Sequence, residues 1–182
     1  INDVLDLSAL EAGKVALHKQ SFDAGVAVQE ACAEFEKTAA ARSIPIKNDL
    51  PPGLAIVADR GRFQEMIHHL LGNALKFTPE GGKVRLAARL KPDGGVHMIV
   101  EDTGIGMAQE TIAAALAPFR QLDGALSRRF EGAGLGLSIA KALVELHGGA
   151  LSLKSAVGEG TIVTIALPPS CVVRMASSAK VA

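Results

Sequence analysis

Tryptophan and tyrosine are absent from this 182-residue chain, and aromatic residues make up only 3% of it, all of them phenylalanine. A surface that stacks successive bases needs such rings, so a single-strand-binding platform is excluded. Cysteine is almost missing too. Cys32 and Cys171 offer neither a disulfide framework nor a metal-ligand spacing, and a reducing, cytoplasmic setting is the simpler expectation. Charge of either sign is not in excess: 19 basic and 19 acidic residues cancel, which argues against a nucleic-acid or general polyanion binder. No window approaches the roughly 18 apolar residues of a membrane span, and no signal peptide opens the chain. Ile1 nevertheless lies inside an apolar-periodic segment, which reads as a cut from a longer chain, so any membrane connection would come from an upstream region. What is present is a hydrophobic content of 48%, ample for one domain with a small appendage.

Ile1, Val4, Leu5, Ser8 and Leu10 fall near helical spacing up to Gly13. So short a stripe is unstable alone and reads as the end of a longer helix whose partner is missing from this chain. Asp23 is the expected N-cap of a helix over 24–41, and Asp59 of a helix over 61–77 with apolar positions Phe63, Met66, Ile67, Leu70, Leu71, Ala74 and Leu75. Short strands are expected at 44–49 and 54–58, a hairpin at 83–90 and 96–101, a helix near 109–116, a helix over 135–147, and strands at 151–155 and 161–167. The polar, basic stretch 120–131 reads as a mobile loop, and the Ser- and Ala-rich tail after Pro168-Pro169 as disordered. Helices against a mixed sheet make an α/β sandwich the expected architecture.

The chain is organised around Val100-Glu101-Asp102-Thr103-Gly104-Ile105-Gly106-Met107. An apolar run, broken only by His97, carries a strand into a carboxylate followed by two glycines at alternate positions. An ionised Asp is acceptor-only and suits an adenine amino group, while the glycines let backbone approach a flat ligand. Two other readings stand beside this one: a plain strand and glycine turn, or the Asp-Thr-Gly turn of an aspartic protease. Gly132-Ala133-Gly134-Leu135-Gly136-Leu137 opens a helix, where free amides and the macrodipole favour phosphate. It fits neither the P-loop nor the Rossmann spacing. His69, Asn73 and Lys76 share one helical face. An Asn oxygen is a suitable ligand for Mg²⁺, and Lys76 a point charge for a phosphate. The plainer alternatives are a buried structural amide and a solvated helix end.

Asn73 with Lys76-Phe77-Thr78, Asp102-x-Gly104-x-Gly106, Phe119, Gly132-x-Gly134-x-Gly136 and Gly158-x-Gly160-Thr161 occur in that order over about the last two-thirds of the chain. Together they resemble the ATP-binding catalytic domain of bacterial sensor histidine kinases, within the superfamily shared with gyrase, heat-shock-ninety chaperones and mismatch-repair ATPases. The protease reading explains three residues only and falls away. The resemblance implies a two-layer α/β sandwich of the Bergerat type at 21–168. It also implies an end of the second dimerisation helix and linker at 1–20, with a disordered tail at 169–182.

The resemblance further implies that Asp102 binds the adenine amino group above Gly104 and Gly106. Asn73 would hold Mg²⁺, and Lys76 would contact the phosphates. Gly132, Gly134, Leu135 and Gly136 would border a lid, with Phe119 anchoring it and Arg128 and Arg129 near the terminal phosphate. Thr161 closes the last glycine box. The implied cofactors are ATP and Mg²⁺. The implied partners are the chain's own dimerisation domain, a homodimer partner and a response regulator. Two departures stand out. Ala133 replaces a usual Thr or Ser, and His69 stands where kinases have Asn and gyrase-type ATPases a water-activating Glu, so no obvious base for hydrolysis is present. The expected function is therefore a protein-histidine kinase whose acceptor histidine lies before Ile1. The alternative is a non-catalytic adaptor that keeps the fold for protein contacts.

Overall fold

A computed structural model describes residues 7, 8, 10, 15–117 and 134–173. The elements are β1 (Lys19–Asp23), α1 (Ala24–Ala41), β2 (Ile46–Asp49), β3 (Ala55–Asp59), α2 (Arg60–Phe77), β4 (Val84–Leu90), β5 (Val96–Asp102), α3 (Gln109–Ala115), α4 (Gly136–Leu146), β6 (Ala150–Ala156) and β7 (Gly160–Leu167). Asp23 and Asp59 start their helices as the spacing predicts, each carboxylate accepting an N–H at 3.1 Å, from Val26 and from Arg62.

Five strands form one mixed sheet in the order β2-β4-β5-β7-β6, with β2 and β4 parallel and the other pairs antiparallel. Period-two alternation turns Val96, Met98, Val100 and Asp102 of β5 inward. They meet the buried stripe of α2, where all seven apolar positions expected from the sequence are buried. Ile139, Leu143 and Val144 of α4 join the same core. Burial of side chains such as Leu71 and Leu143 contributes roughly 1.5–3 kcal/mol each. The result is the α/β sandwich that the sequence led us to expect.

β1 and β3 pair with each other outside that sheet, a second ribbon that the sequence did not reveal. Asp59 ties this ribbon to two helices. Its carboxylate accepts the His18 N–H at 2.9 Å and its own N–H donates to His147 Nε2 at 3.1 Å, at the end of α4. At the other end of α2 the Arg42 guanidinium donates to the carbonyls of Leu75 and Thr78, satisfying acceptors that the last helical turn leaves open.

Three expectations need correction. Residues 169–173 are not a disordered tail. Pro169–Cys171 form a 3₁₀ turn, Cys171 is buried, Val172 bridges Ile56, and the Val173 N–H donates to the Ala55 carbonyl at 3.0 Å. Their apolar side chains cover β3, and a backbone edge is available there, both of which the polar composition further on obscured. Residues 19 and 20 belong to β1 rather than to a linker, because they pair with Asp59 and Ala58. Finally, part of the first segment has a partner in this chain: Leu7 and Leu10 are helical and buried in the same core as α1 and α2, while Ile1, Val4 and Leu5 lie outside the described residues.

Candidate functional site

Asp102 ends β5 on the helix-facing side of the sheet and is 8% exposed. Its Oδ1 accepts the Gly104 N–H at 2.8 Å, and the Thr161 backbone amide lies close enough to favour the charged carboxylate. Burial pushes its pKa above the ordinary carboxylate value, the two amides oppose that rise, and nearby Glu101 adds to it. A carboxylate offers about four lone-pair sites, so these amides fix its orientation and leave acceptor capacity for a ligand.

The following loop is stitched to its surroundings by backbone bonds. The Thr103 N–H donates to the Lys83 carbonyl, Ile105 to Phe77 at the end of α2, and Gly158 to Ile105. Glycine is required here for a reason internal to the fold. A Cβ at Gly104 would lie 2.8 Å from the Phe77 carbonyl oxygen, and one at Gly106, with φ of +61°, 1.8 Å from that of Ala156. A Cβ at Gly104 would also lie 2.5 Å from Asp102 Oδ1, so the protein's own atoms already require glycine at both positions.

A row of polar residues crosses the inner side of three strands, because Ser155 on β6 opposes Thr161 on β7, which opposes Asp102 on β5. Ser155 Oγ lies 2.9 Å from the Met107 N–H that donates to it, 2.8 Å from the Gly160 carbonyl and 2.9 Å from Thr161 Oγ1. Sequence reasoning named Thr161 and missed Ser155. The period-two pattern of β6 would have put Ser155 on the inner face, but its partners come from two distant loops.

Across from this row, α2 carries His69, Asn73 and Lys76. The start of α4 packs against the first two: a Cβ at Gly136 would lie 3.3 Å from His69 Nδ1 and 3.6 Å from Asn73 Nδ2. Among the described residues none hydrogen-bonds to the half-buried Asn73 amide. His69 Nε2 faces Glu65 Oε1 at 4.0 Å. Lys76 Nζ lies 5.2 Å from the centre of the Phe77 ring. Among the described residues α4 has no side-chain cap and no acidic residue in its first turn, so its positive dipole end favours an anion. Gly134 takes a φ of +69°, and Leu135 is buried in the core, leaving only its backbone for a ligand. Phe119, Arg128, Arg129, Gly132 and the loop 120–131 lie outside the described residues.

The described residues hold no group of three or more His, Cys, Asp or Glu able to bind a metal by themselves. Asn73 alone, with its unpartnered amide oxygen, fits Mg²⁺, which takes few protein ligands and completes its shell with water and phosphate oxygens. The arrangement therefore joins a preset acceptor for a base with a cationic and amide-lined end for phosphates.

Comparison with known proteins supports that chemistry. The model of the family described as histidine kinase-, DNA gyrase B-, and HSP90-like ATPase matches residues 58–170. Histidine protein kinase DivJ of Caulobacter vibrioides is 40% identical over 169 residues, covering 92% of this chain and 28% of that protein. Cell-division control histidine kinase PdhS of Brucella anthropi is 37% identical over 180 residues, covering 93% of this chain and 17% of that protein. This chain thus spans less than a third of either relative. Among solved structures, full-length ShkA in complex with AMPPNP superimposes with a TM-score of 0.84 at 30% identity, over 96% of this chain and 36% of that one.

Proposed function

The chain belongs to the family of histidine kinase-, DNA gyrase B- and HSP90-like ATPases, and from that premise we propose that it positions Mg-ATP for phosphoryl transfer to a histidine in a two-component sensor kinase. The observation that carries this reading is the buried Asp102 carboxylate, oriented by the Gly104 amide on the same side of the sheet as the uncapped start of α4. Asp102 accepts from the adenine amino group, with Gly104, Gly106 and Thr161 around the base. Asn73 would offer its amide oxygen to Mg²⁺, which would supply neutralisation of phosphate charge. Lys76 and the amides at Gly134, Leu135 and Gly136 hold the phosphate chain. The resemblance alone gives Arg128, Arg129, Phe119 and Gly132 their places beside them.

The acceptor histidine nitrogen attacks the γ-phosphorus, the bond to the bridging oxygen breaks, and ADP leaves. Positioning and charge neutralisation supply most of the catalysis. His69 provides no carboxylate for activating water, so transfer to protein is favoured over hydrolysis. A response regulator and a second copy of the dimerisation domain would complete the relay. Among the described residues no helix is long and apolar enough to cross a membrane, which fits a catalytic unit working in the cytoplasm. A non-catalytic adaptor would have no need of an Asn73 amide that no described residue hydrogen-bonds. To test the reading, a dimerisation domain bearing the acceptor helix is mixed with this chain and γ-labelled ATP. Label on its histidine supports the kinase; bound ATP with no label on any acceptor supports the adaptor.

A further inference from the structure

Within the nucleotide site proposed above, and resting on that reading, we propose that Ser155 is a positioning residue that sets base specificity. It fixes the Thr161 hydroxyl as an acceptor beside Asp102 and so selects a 6-amino purine over a 6-oxo purine.

Counting protons around Ser155 Oγ fixes the direction of each bond. A serine hydroxyl has one proton and two lone pairs. Three groups surround Ser155 Oγ: the Met107 N–H at 2.9 Å, the Gly160 carbonyl at 2.8 Å and the Thr161 hydroxyl at 2.9 Å. An amide can only donate and a carbonyl can only accept. One lone pair of Ser155 therefore takes the Met107 N–H, and its single proton goes to the Gly160 oxygen. The remaining lone pair can only receive the Thr161 proton. With that proton directed toward β6, Thr161 Oγ1 keeps lone pairs alone for anything else it meets. Thr161 stands directly opposite Asp102 in the strand register. Two acceptors in this row, and no side-chain donor among Ser155, Thr161 and ionised Asp102, then line the base edge.

An exocyclic amino group brings two N–H donors and suits such a pair. A 6-oxo group brings acceptors against acceptors, which leaves desolvated lone pairs unpaired. Ser155 touches no ligand in this scheme. It acts through Thr161, and through Met107, whose amide it also anchors.

The test measures affinities for ATP and for inosine triphosphate, whose base has a 6-oxo group and a protonated N1, by calorimetry on the wild-type chain, Ser155→Ala and Ser155→Thr. The wild type should prefer ATP. In Ser155→Ala the Thr161 hydroxyl is free to rotate and donate to the 6-oxo group, so the preference should shrink by about five- to tenfold, the size of one net hydrogen bond. Ser155→Thr keeps the hydroxyl and should restore it. Thr161→Val removes the acceptor while leaving the Met107 and Gly160 bonds in place, and should lower the preference even if Ser155→Ala does not fold. An unchanged ratio in folded Ser155→Ala or Thr161→Val, or an equal loss for both nucleotides, would overturn the proposal while leaving the ATP site standing. Failure of the wild type to bind ATP would overturn the site itself and this inference with it.

Discussion

Asp59 and His147, 88 positions apart, are joined by a hydrogen bond in which the Asp59 N–H donates to His147 Nε2 at 3.1 Å. The other ring nitrogen, Nδ1, donates to the Leu143 carbonyl at 2.8 Å, so the imidazole that fits is the neutral one. Burial holds the His147 pKa below its ordinary 6.5, with Lys19 adding to the drop and the Leu143 contact and Asp59 opposing it.

The sign of the pH dependence follows. A proton binds the unfolded histidine more tightly than the folded one, so the contribution of His147 is complete above about pH 6.5 and is lost as the pH falls below it. Asp59, whose own pKa is held down by backbone amides against its burial, keeps its full contribution above its ordinary 3.8 and loses it only as the pH falls below that value. Between pH 7.5 and 5.5 the melting temperature should fall. His147→Gln, which keeps an acceptor near the Nε2 position and cannot titrate, should flatten that slope at a cost of about 1 kcal/mol at neutral pH. A variant with the same slope would contradict the role given to His147.

Gly106 and Gly158 both adopt positive φ, yet they should respond differently to alanine. A Cβ at Gly106 collides with the Ala156 carbonyl, whereas one at Gly158 meets nothing within 4 Å. Gly158→Ala should cost only the left-handed backbone penalty of about 1–2 kcal/mol. Gly106→Ala should cost several kcal/mol or displace the loop outright. Urea denaturation of the two variants decides it, and equal losses would mean the loop is less tightly stitched than described.

Asn73 is the proposed protein contact of Mg²⁺. Chelation with EDTA should weaken ATP binding by the wild-type chain about tenfold, the scale of one charge-assisted contact. Asn73→Ala should already bind ATP near that lower level and respond little to EDTA. An EDTA effect of undiminished size in the variant would place the metal contact elsewhere.

The helices and strands of this fold were legible because their signals are local. Asp23 and Asp59 precede apolar stripes of helical period, and β5 alternates cleanly up to Asp102. The β1–β3 ribbon was not legible, since pairing partners 32 to 40 residues apart leave no local trace. The turn at 169–173 was misread because Ser and Ala beyond it outweighed two apolar residues that cover a strand edge. At the site, Asp102 and Asn73 stood out as polar residues on apolar elements. Ser155 did not, because a lone Ser on a strand is ordinary until Met107, Gly160 and Thr161 are seen around it. The contacts that hold Gly104 and Gly106 without a side chain come partly from Phe77 and Ala156, far off in the chain, and at Gly104 also from the Asp102 carboxylate two residues away.

The most direct measurement is the titration of ATP into the wild-type chain and Asp102→Asn. An Asn at this position keeps an oxygen for the Gly104 and Thr161 amides, so the fold should survive, while its amino group faces the adenine amino group as donor against donor. Loss of the charge-assisted bond with that clash should cost on the order of 2–3 kcal/mol, or roughly 30- to 150-fold in affinity. ATP binding that is weakened to this extent in a variant of unchanged melting temperature is what the account predicts. Equal affinities for the two proteins would remove Asp102 from the site and contradict it.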